Sequence, residues 1–128
     1  MGASKSMSIL VVEDEELLSL HLADMLEELG HDVVGTAATG QAALREAARL
    51  IATPPDLALV DVGLKGAMDG VDVAIELRRL GVPTLFLTGA WDPAIGDRAR
   101  PANPLGHLEK PYTEAALQRA LAAAIART

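Results

Sequence analysis

Short apolar runs alternate with segments of helical periodicity along this chain, and that alternation narrows the possible folds more than any other feature. The runs at residues 9–12 and 57–60 contain no polar side chain, which is typical of central parallel strands buried on both faces. Between such runs, apolar residues recur every three or four positions, which indicates helices. The pattern predicts an α/β fold, in which a doubly wound, five-stranded parallel sheet carries helices on both faces.

The strands and helices can be placed from these patterns and from the glycines that interrupt them. The buried stripe of the first helix is expected to include Leu18, Leu22 and Leu26, and Gly30 is expected to end that helix. Thr113 is expected to cap the last helix. We expect strands at residues 9–12, 33–34, 57–60, 84–87 and 106–109, and helices at 18–29, 41–51, 70–80 and after 113.

The segment at residues 90–105 breaks this rhythm. The alternation of strands and helices predicts a fourth helix in this segment. Asp92 and Pro93 suit its N-cap and its first position. Gly96 would weaken that helix, and Pro101 would stop it after about two turns, which is too short for stability in isolation. We therefore predict that the fourth helix is short, frayed or disordered.

Length, charge and composition exclude several classes of function. The 128 residues suffice for one domain with one core, which we place at residues 8–128 behind a disordered leader at 1–7. A net charge of −7 argues against a nucleic-acid-binding surface, and no apolar stretch is long enough to cross a membrane. The chain has no cysteine for disulfide or thiol chemistry, and a cytoplasmic location is the default expectation.

Polar groups stand where the predicted strands end. Glu13 and Asp14 follow the first strand, Asp61 follows the third, Thr88 follows the fourth, and Lys110 follows the fifth. Because parallel strands end at the same edge of a sheet, these side chains should meet where open α/β sheets bind ligands. Clustered carboxylates repel one another and favour a divalent cation, whereas a lysine and a hydroxyl facing them suit a phosphoryl group.

Each of these residues also has an ordinary structural interpretation. Glu13 and Asp14 precede a helix, where acidic residues often cap the helix or meet the positive end of its dipole. Asp61 can cap a turn, Thr88 can bond a neighbouring backbone group, and Lys110 can be a surface residue. A shared site explains all of these positions at once, which the separate interpretations do not.

Taken together, the motifs resemble those of the receiver domains of two-component response regulators, from residue 8 onward. Any one motif is weak, but five of them in order and at domain-like spacing are specific. The resemblance implies a flavodoxin-like sheet. The matching motifs are Glu13-Asp14, Asp61, Met68-Asp69-Gly70, Thr88-Gly89 and Lys110-Pro111-Tyr112.

The resemblance also implies a Mg²⁺ site and its ligands. Asp14 and Asp61 would bind the ion directly, with Glu13 helping through a water molecule. The backbone carbonyl of Gly63 would supply a further oxygen. Such a set suits Mg²⁺, which prefers oxygen ligands in near-octahedral geometry and keeps several waters.

Finally, the resemblance implies a phosphorylation reaction. Asp61 would accept the phosphoryl group of a histidine phosphate, carried by a sensor histidine kinase or a histidine phosphotransfer protein. Thr88 would bond a phosphoryl oxygen through its hydroxyl. Lys110, joined to Pro111 by a cis peptide bond, would pair with the phosphoryl group. Such a chain catalyses its own phosphorylation and dephosphorylation but is not an enzyme that turns over a free metabolite.

Two stretches depart from the usual receiver pattern. Lys65 stands where many receivers have proline, and the segment from residue 61 to residue 70 is one residue longer than usual. Residues 83–93 resemble a subgroup of single-domain receivers that lack a regular fourth helix and are associated with HWE-type kinases. We therefore expect a monomer or weak dimer, in which phosphorylation orders residues 90–105.

His107 stands three residues before Lys110, where receivers commonly have a tyrosine or phenylalanine that swings inward on activation. A histidine there could act as a rotating switch whose charge responds near neutral pH. A plain strand-edge residue is an equally simple interpretation, and the sequence leaves both open.

Three functions compete at this point. The leading one is a stand-alone receiver, phosphorylated on Asp61. The second is a Mg²⁺-dependent phosphohydrolase of the aspartyl-phosphate type, but such enzymes usually carry Asp-x-Asp where this chain has Glu13-Asp14-Glu15. The third is a binding module that works without phosphorylation, which the full set of site residues disfavours. The sequence identifies neither the cognate kinase nor a downstream partner.

Overall fold

The computed structural model describes residues 6–127, in which five strands alternate with five α-helices. The strands are β1 (Ser8–Val12), β2 (Asp32–Ala37), β3 (Leu57–Asp61), β4 (Thr84–Thr88) and β5 (Gly106–Glu109). The helices are α1 (Glu16–Glu28), α2 (Gly40–Arg49), α3 (Gly70–Arg79), α4 (Pro93–Ala99) and α5 (Glu114–Arg127). None of these described helices is long and apolar enough to cross a membrane.

All five strands are parallel and lie in the order β2-β1-β3-β4-β5. From β1 the chain goes to β2 on one side of the sheet and then to β3 on the other. A crevice therefore opens at the carboxyl edge between β1 and β3, where such sheets bind ligands. The predicted flavodoxin-like, doubly wound sheet is confirmed.

Two hydrophobic layers cover the sheet, one on each face, because successive side chains of a strand point to opposite sides. In β1, Leu10 and Val12 belong to the layer that includes α2, α3 and α4. Ile9 and Val11 belong to the layer that includes α1 and α5. The uninterrupted apolar runs in the sequence are the result, since both sides of the inner strands are buried.

The fourth helix is short, as predicted. Asp92 caps it by accepting a hydrogen bond from the Ile95 amide at 3.0 Å, and Thr113 caps α5 in the same way. α4 has seven residues and continues into a 3₁₀ turn at Arg100–Ala102. Within α4 itself, Ala99 is the buried residue, so this helix packs lightly on the rest of the fold.

Apart from the bounds of the elements, two details differ from the expectations. Residues 1–5 of the predicted leader lie outside the described residues, whereas Met7, at its end, is buried and donates its amide to Nδ1 of His31 at 3.1 Å. In α1, Leu22 and Leu26 are buried as expected, but Leu18 is 42% exposed. The face of α1 that packs on the core therefore contains fewer leucines than the sequence pattern predicts.

Candidate functional site

The carboxyl ends of β1 and β3 hold two buried carboxylates. Glu13 directly follows β1, and its amide donates to the Ala37 carbonyl at 3.0 Å, which fixes the backbone there. Asp61 ends β3, and the next amide, that of Val62, donates to the Leu87 carbonyl at 2.8 Å. Glu13 is 3% exposed and Asp61 is 8% exposed, so the sheet keeps both side chains largely out of water.

Asp14 completes an acidic cluster with these two residues. One carboxylate oxygen from each of Glu13, Asp14 and Asp61 lies within 4.8 Å of the other two. Like charges at this spacing repel one another unless a cation lies among them, and Mg²⁺ prefers oxygen ligands of this kind. The structure thus brings together the three carboxylates that the sequence placed at this edge.

The surroundings of Glu13 show that the cluster is short of positive charge. Its Oε2 atom is buried and has no hydrogen-bond partner among the described residues. Burial, and then the neighbouring Asp61 carboxylate, raise the pKa of Glu13 to about 7, although Lys110 acts in the opposite direction. A bound divalent cation would favour the charged form of the carboxyl, so the donor set fits the ion that the resemblance implies.

Lys110 lies against both buried carboxylates. Its Nζ atom is 3.3 Å from Glu13 Oε1 and 3.3 Å from Asp61 Oδ2. Its amide donates to the Thr88 carbonyl at 2.7 Å, and the bond to Pro111 is cis, as the resemblance implies. Burial alone would lower the pKa of Lys110, but the charges of Asp61 and Glu13 outweigh it and raise the pKa, which keeps the ammonium group charged.

Thr88 lies at the same edge, but its hydroxyl bonds the backbone that follows it. Thr88 Oγ1 donates to the Ala90 carbonyl at 2.9 Å and accepts from the Ala90 amide at 3.2 Å. This is the local contact that the sequence offered as an alternative to phosphoryl binding. A role of the hydroxyl toward a phosphoryl group stays a prediction.

The loop after Asp61 meets the site through its backbone amides. The Gly63 amide donates to Asp61 Oδ1 at 2.9 Å, and the Lys65 amide donates to Asp14 Oδ2 at 3.2 Å. The position of Gly63 beside Asp61 agrees with the expectation, while its carbonyl as a metal ligand stays a prediction. The loop thus brings the Lys65 amide to a second carboxylate of the cluster.

A cavity of about 480 Å³ lies beside the site, and the sequence patterns did not predict it. Burial, and then the charge of Glu13, raise the pKa of the lining residue Tyr112 to about 12, so its phenol stays protonated. The available signal in the sequence was the pair of leucines at the start of α1, because Leu18 lines this cavity and is 42% exposed. The lining residues are Glu13, Leu18, His21, Leu22, Met25, Leu87, Lys110, Pro111 and Tyr112.

This arrangement defines a class of protein: a doubly wound α/β domain with a cluster of three carboxylates, two of them buried, and a lysine at one sheet edge. The cluster can hold a divalent cation beside an oxygen nucleophile, and Lys110 can neutralise an incoming anion. The chain belongs to the response regulator receiver domain family of two-component signalling, whose sequence profile matches residues 9–122.

Similar proteins agree with this assignment. The transcriptional regulatory protein PdtaR of Mycobacterium tuberculosis is 37% identical over 120 residues, which are 93% of this chain and 57% of PdtaR. The phyllosphere-induced regulator PhyR of Methylorubrum extorquens is 33% identical over 104 residues, 80% of this chain and 38% of PhyR. The signal receiver domain of a modulated diguanylate cyclase from Desulfovibrio desulfuricans G20 superposes with a TM-score of 0.84 at 39% identity, covering 96% of each chain. The chain spans about half the length of the curated relatives it matches.

Proposed function

We propose that this domain accepts a phosphoryl group on Asp61, with Mg²⁺ bound, from a sensor histidine kinase or a histidine phosphotransfer protein. The observation that carries the proposal is the position of Lys110, whose Nζ lies 3.3 Å from both Glu13 Oε1 and Asp61 Oδ2. A single fixed ammonium group therefore lies beside the nucleophile and the acidic cluster. The family itself implies a histidine kinase as partner in general terms.

Phosphoryl transfer passes through a loose transition state. The domain therefore contributes mainly by positioning the reacting groups and by stabilising the charge of the phosphoryl group. An Asp61 oxygen bonds the phosphorus while the bond from phosphorus to the histidine nitrogen breaks, and the released imidazole takes up a proton. Lys110 stabilises the charge of the transferred group. The Thr88 hydroxyl, once it leaves Ala90, bonds one of the phosphoryl oxygens.

A small-molecule phosphodonor such as acetyl phosphate tests this proposal on the purified chain. We expect a single phosphoryl group by intact-mass measurement, present with Mg²⁺ and absent when EDTA removes the ion, because the donor set needs that charge. A slowly lost adduct supports the receiver. Rapid multiple turnover of the donor would identify a phosphohydrolase, and a lack of any adduct would identify a binding module that works without phosphorylation.

Glu13, Asp14 and Asp61, with the Gly63 carbonyl, are the groups we propose to hold Mg²⁺, which when bound supplies positive charge for the phosphoryl oxygens. Of these carboxylates, Asp14 is the least buried, and its Oδ2 accepts the Lys65 amide at 3.2 Å. An asparagine at position 14 can keep that hydrogen bond while losing the charge. Because Asp14 is partly exposed and its hydrogen bond can survive the substitution, Asp14→Asn tests Mg²⁺ binding with little disturbance of the fold.

We expect Mg²⁺ to stabilise the wild-type chain and to lose this effect in Asp14→Asn. An ion present at ~10 times its dissociation constant stabilises the folded state by about 1.4 kcal/mol, which raises the melting temperature by roughly 3–6 °C. Thermal unfolding with and without MgCl₂ measures the difference. Asp24→Asn is the control, since it removes the same charge from an exposed position of α1. An equal Mg²⁺ response in both variants would contradict the proposed ligand set.

A further inference from the structure

An ion pair joins α4 to the start of α3. Arg98 Nη2 lies 2.7 Å from both carboxylate oxygens of Asp69 and 3.6 Å from Asp72 Oδ1. Arg98 and Asp69 are 29 residues apart, whereas the other arginine pairs, such as Arg100 with Asp97, join residues three apart. Among the ion pairs of residues 6–127, this is the one that holds two separate helices together.

Asp69 is also the N-cap of α3. Its Oδ1 accepts the Asp72 amide at 3.0 Å, and the Asp72 side chain accepts the Asp69 amide at 3.2 Å. Burial raises the pKa of Asp69, but hydrogen bonds from Arg98 and from the backbone outweigh it and lower the pKa below its usual 3.8. One carboxylate therefore holds the first turn of α3 and the last turn of α4.

The first residue of α3 lies directly on the backbone of the proposed phosphoacceptor. The Gly70 amide donates to the Val62 carbonyl at 3.1 Å. A Cβ at Gly70 would overlap the Asp61 carbonyl oxygen and lie 2.6 Å from Val62 Cα. Because Asp69 precedes Gly70, any displacement of Asp69 acts on the backbone of Asp61.

The position of α4 depends on contacts at its two ends. With seven residues it is too short to be stable alone. Just before it, Trp91 stacks on His107 with ring centroids 4.3 Å apart and an interplanar angle of 3°, and lies 5.9 Å from the Phe86 ring. In its last turn, Arg98 holds Asp69. Trp91 is the only tryptophan of the chain, so its fluorescence reports on α4.

We propose that Arg98 is a positioning residue for the phosphoacceptor: by holding Asp69, it couples the position of α4 to that of Asp61. This inference rests on the proposed phosphorylation of Asp61. Without Arg98, the loop at residues 62–69 loses its tie to α4 at Asp69, while the Lys65 amide still contacts Asp14 midway along the loop. Water then reaches the phosphoryl group more easily, so the adduct is shorter-lived.

Two variants break the ion pair from opposite sides. Arg98→Gln removes the guanidinium group, and Asp69→Asn removes the carboxylate charge but keeps the helix cap, since asparagine caps about as well as aspartate. We expect each to shorten the half-life of the acetyl phosphate adduct by about two- to fivefold, the range for a partly exposed pair. The double variant should be no worse than either single one, because both remove the same interaction.

Two further variants separate positioning from a general loss of structure. Arg98→Lys keeps a positive charge and should restore most of the adduct half-life. Arg100→Gln removes an arginine whose partner Asp97 lies in the same helical segment, so it should leave the half-life unchanged. Additive effects of Arg98→Gln and Asp69→Asn would show that the two residues act separately, and would overturn the inference.

Acrylamide quenching of Trp91 in the unphosphorylated proteins gives a second readout. We expect stronger quenching in Arg98→Gln and Asp69→Asn than in Arg100→Gln, because α4 is released at its last turn. A wild-type chain that takes up no phosphoryl group would overturn the proposed function. Adducts of equal lifetime in wild type, Arg98→Gln and Arg100→Gln would overturn this inference alone.

Discussion

We expect Asp61→Asn to abolish the phosphoryl adduct and yet to leave the fold at least as stable as wild type. An amide oxygen cannot take the place of the carboxylate nucleophile, so adduct occupancy should fall by at least ~100-fold. The fold should not suffer, because the variant removes one of three carboxylates whose oxygens lie within 4.8 Å of one another, while Lys110 keeps its contact with Glu13 Oε1 at 3.3 Å. Relief of repulsion at that distance is worth on the order of 1 kcal/mol.

Two measurements check this prediction together. Intact-mass analysis after treatment with acetyl phosphate and Mg²⁺ measures the adduct, and urea unfolding measures stability. Asp97→Asn is the control, because it removes a carboxylate whose side chain is 74% exposed on α4 and should phosphorylate like wild type. An adduct of undiminished occupancy on Asp61→Asn would show that another side chain is the acceptor.

Most of the candidate site could be predicted from the positions at which the strands end. An apolar run that is buried on both faces fixes which residue stands at the sheet edge, so backbone position alone placed Glu13 and Asp61. The structure brings their oxygens, with one from Asp14, within 4.8 Å of one another. Lys110 was placed by its position after the short fifth strand, and it lies 3.3 Å from Asp61 Oδ2. These placements depend on where the strands begin and end, and hydrophobic periodicity predicts those positions well.

Contacts between distant side chains could not be predicted in this way. Arg98 lies in α4, a helix of seven residues that is too short for a repeating apolar pattern to predict which way Arg98 faces, and its partner Asp69 is 29 residues away. The stack of Trp91 on His107 likewise joins an irregular loop to an edge strand. The partner of the Thr88 hydroxyl depends on a side-chain rotamer, and the sequence does not determine that choice.

Helix α1 shows a second limit of prediction from the sequence, which concerns the burial of its apolar side chains. Its periodicity placed Leu18 on the same stripe as Leu22 and Leu26, but Leu18 lines the cavity beside the site and is 42% exposed. Periodicity identifies the face of a helix that is apolar. It does not distinguish a side chain that packs on the sheet from one that borders an open cavity.

The contact between α3 and β3 leads to the second large effect: we expect Gly70→Ala to destabilise the fold by about 2 kcal/mol. Alanine favours a helix over glycine by up to ~1 kcal/mol, which acts in the stabilising direction. The new Cβ, however, would overlap the Asp61 carbonyl oxygen and lie 2.6 Å from Val62 Cα. Both are backbone atoms that no side-chain rotation can move away, and overpacking of this kind costs about 1–3 kcal/mol or more.

Urea unfolding of Gly70→Ala measures this loss, with Gly89→Ala as the matched control. A Cβ at Gly89 would have no atom within 4 Å, so that variant should stay within about 0.5 kcal/mol of wild type. Because the clash pushes on the backbone of Asp61, Gly70→Ala should also phosphorylate more slowly than wild type under conditions in which both are folded. Equal stability of the two variants would mean that α3 does not approach the end of β3 as closely as the structure shows.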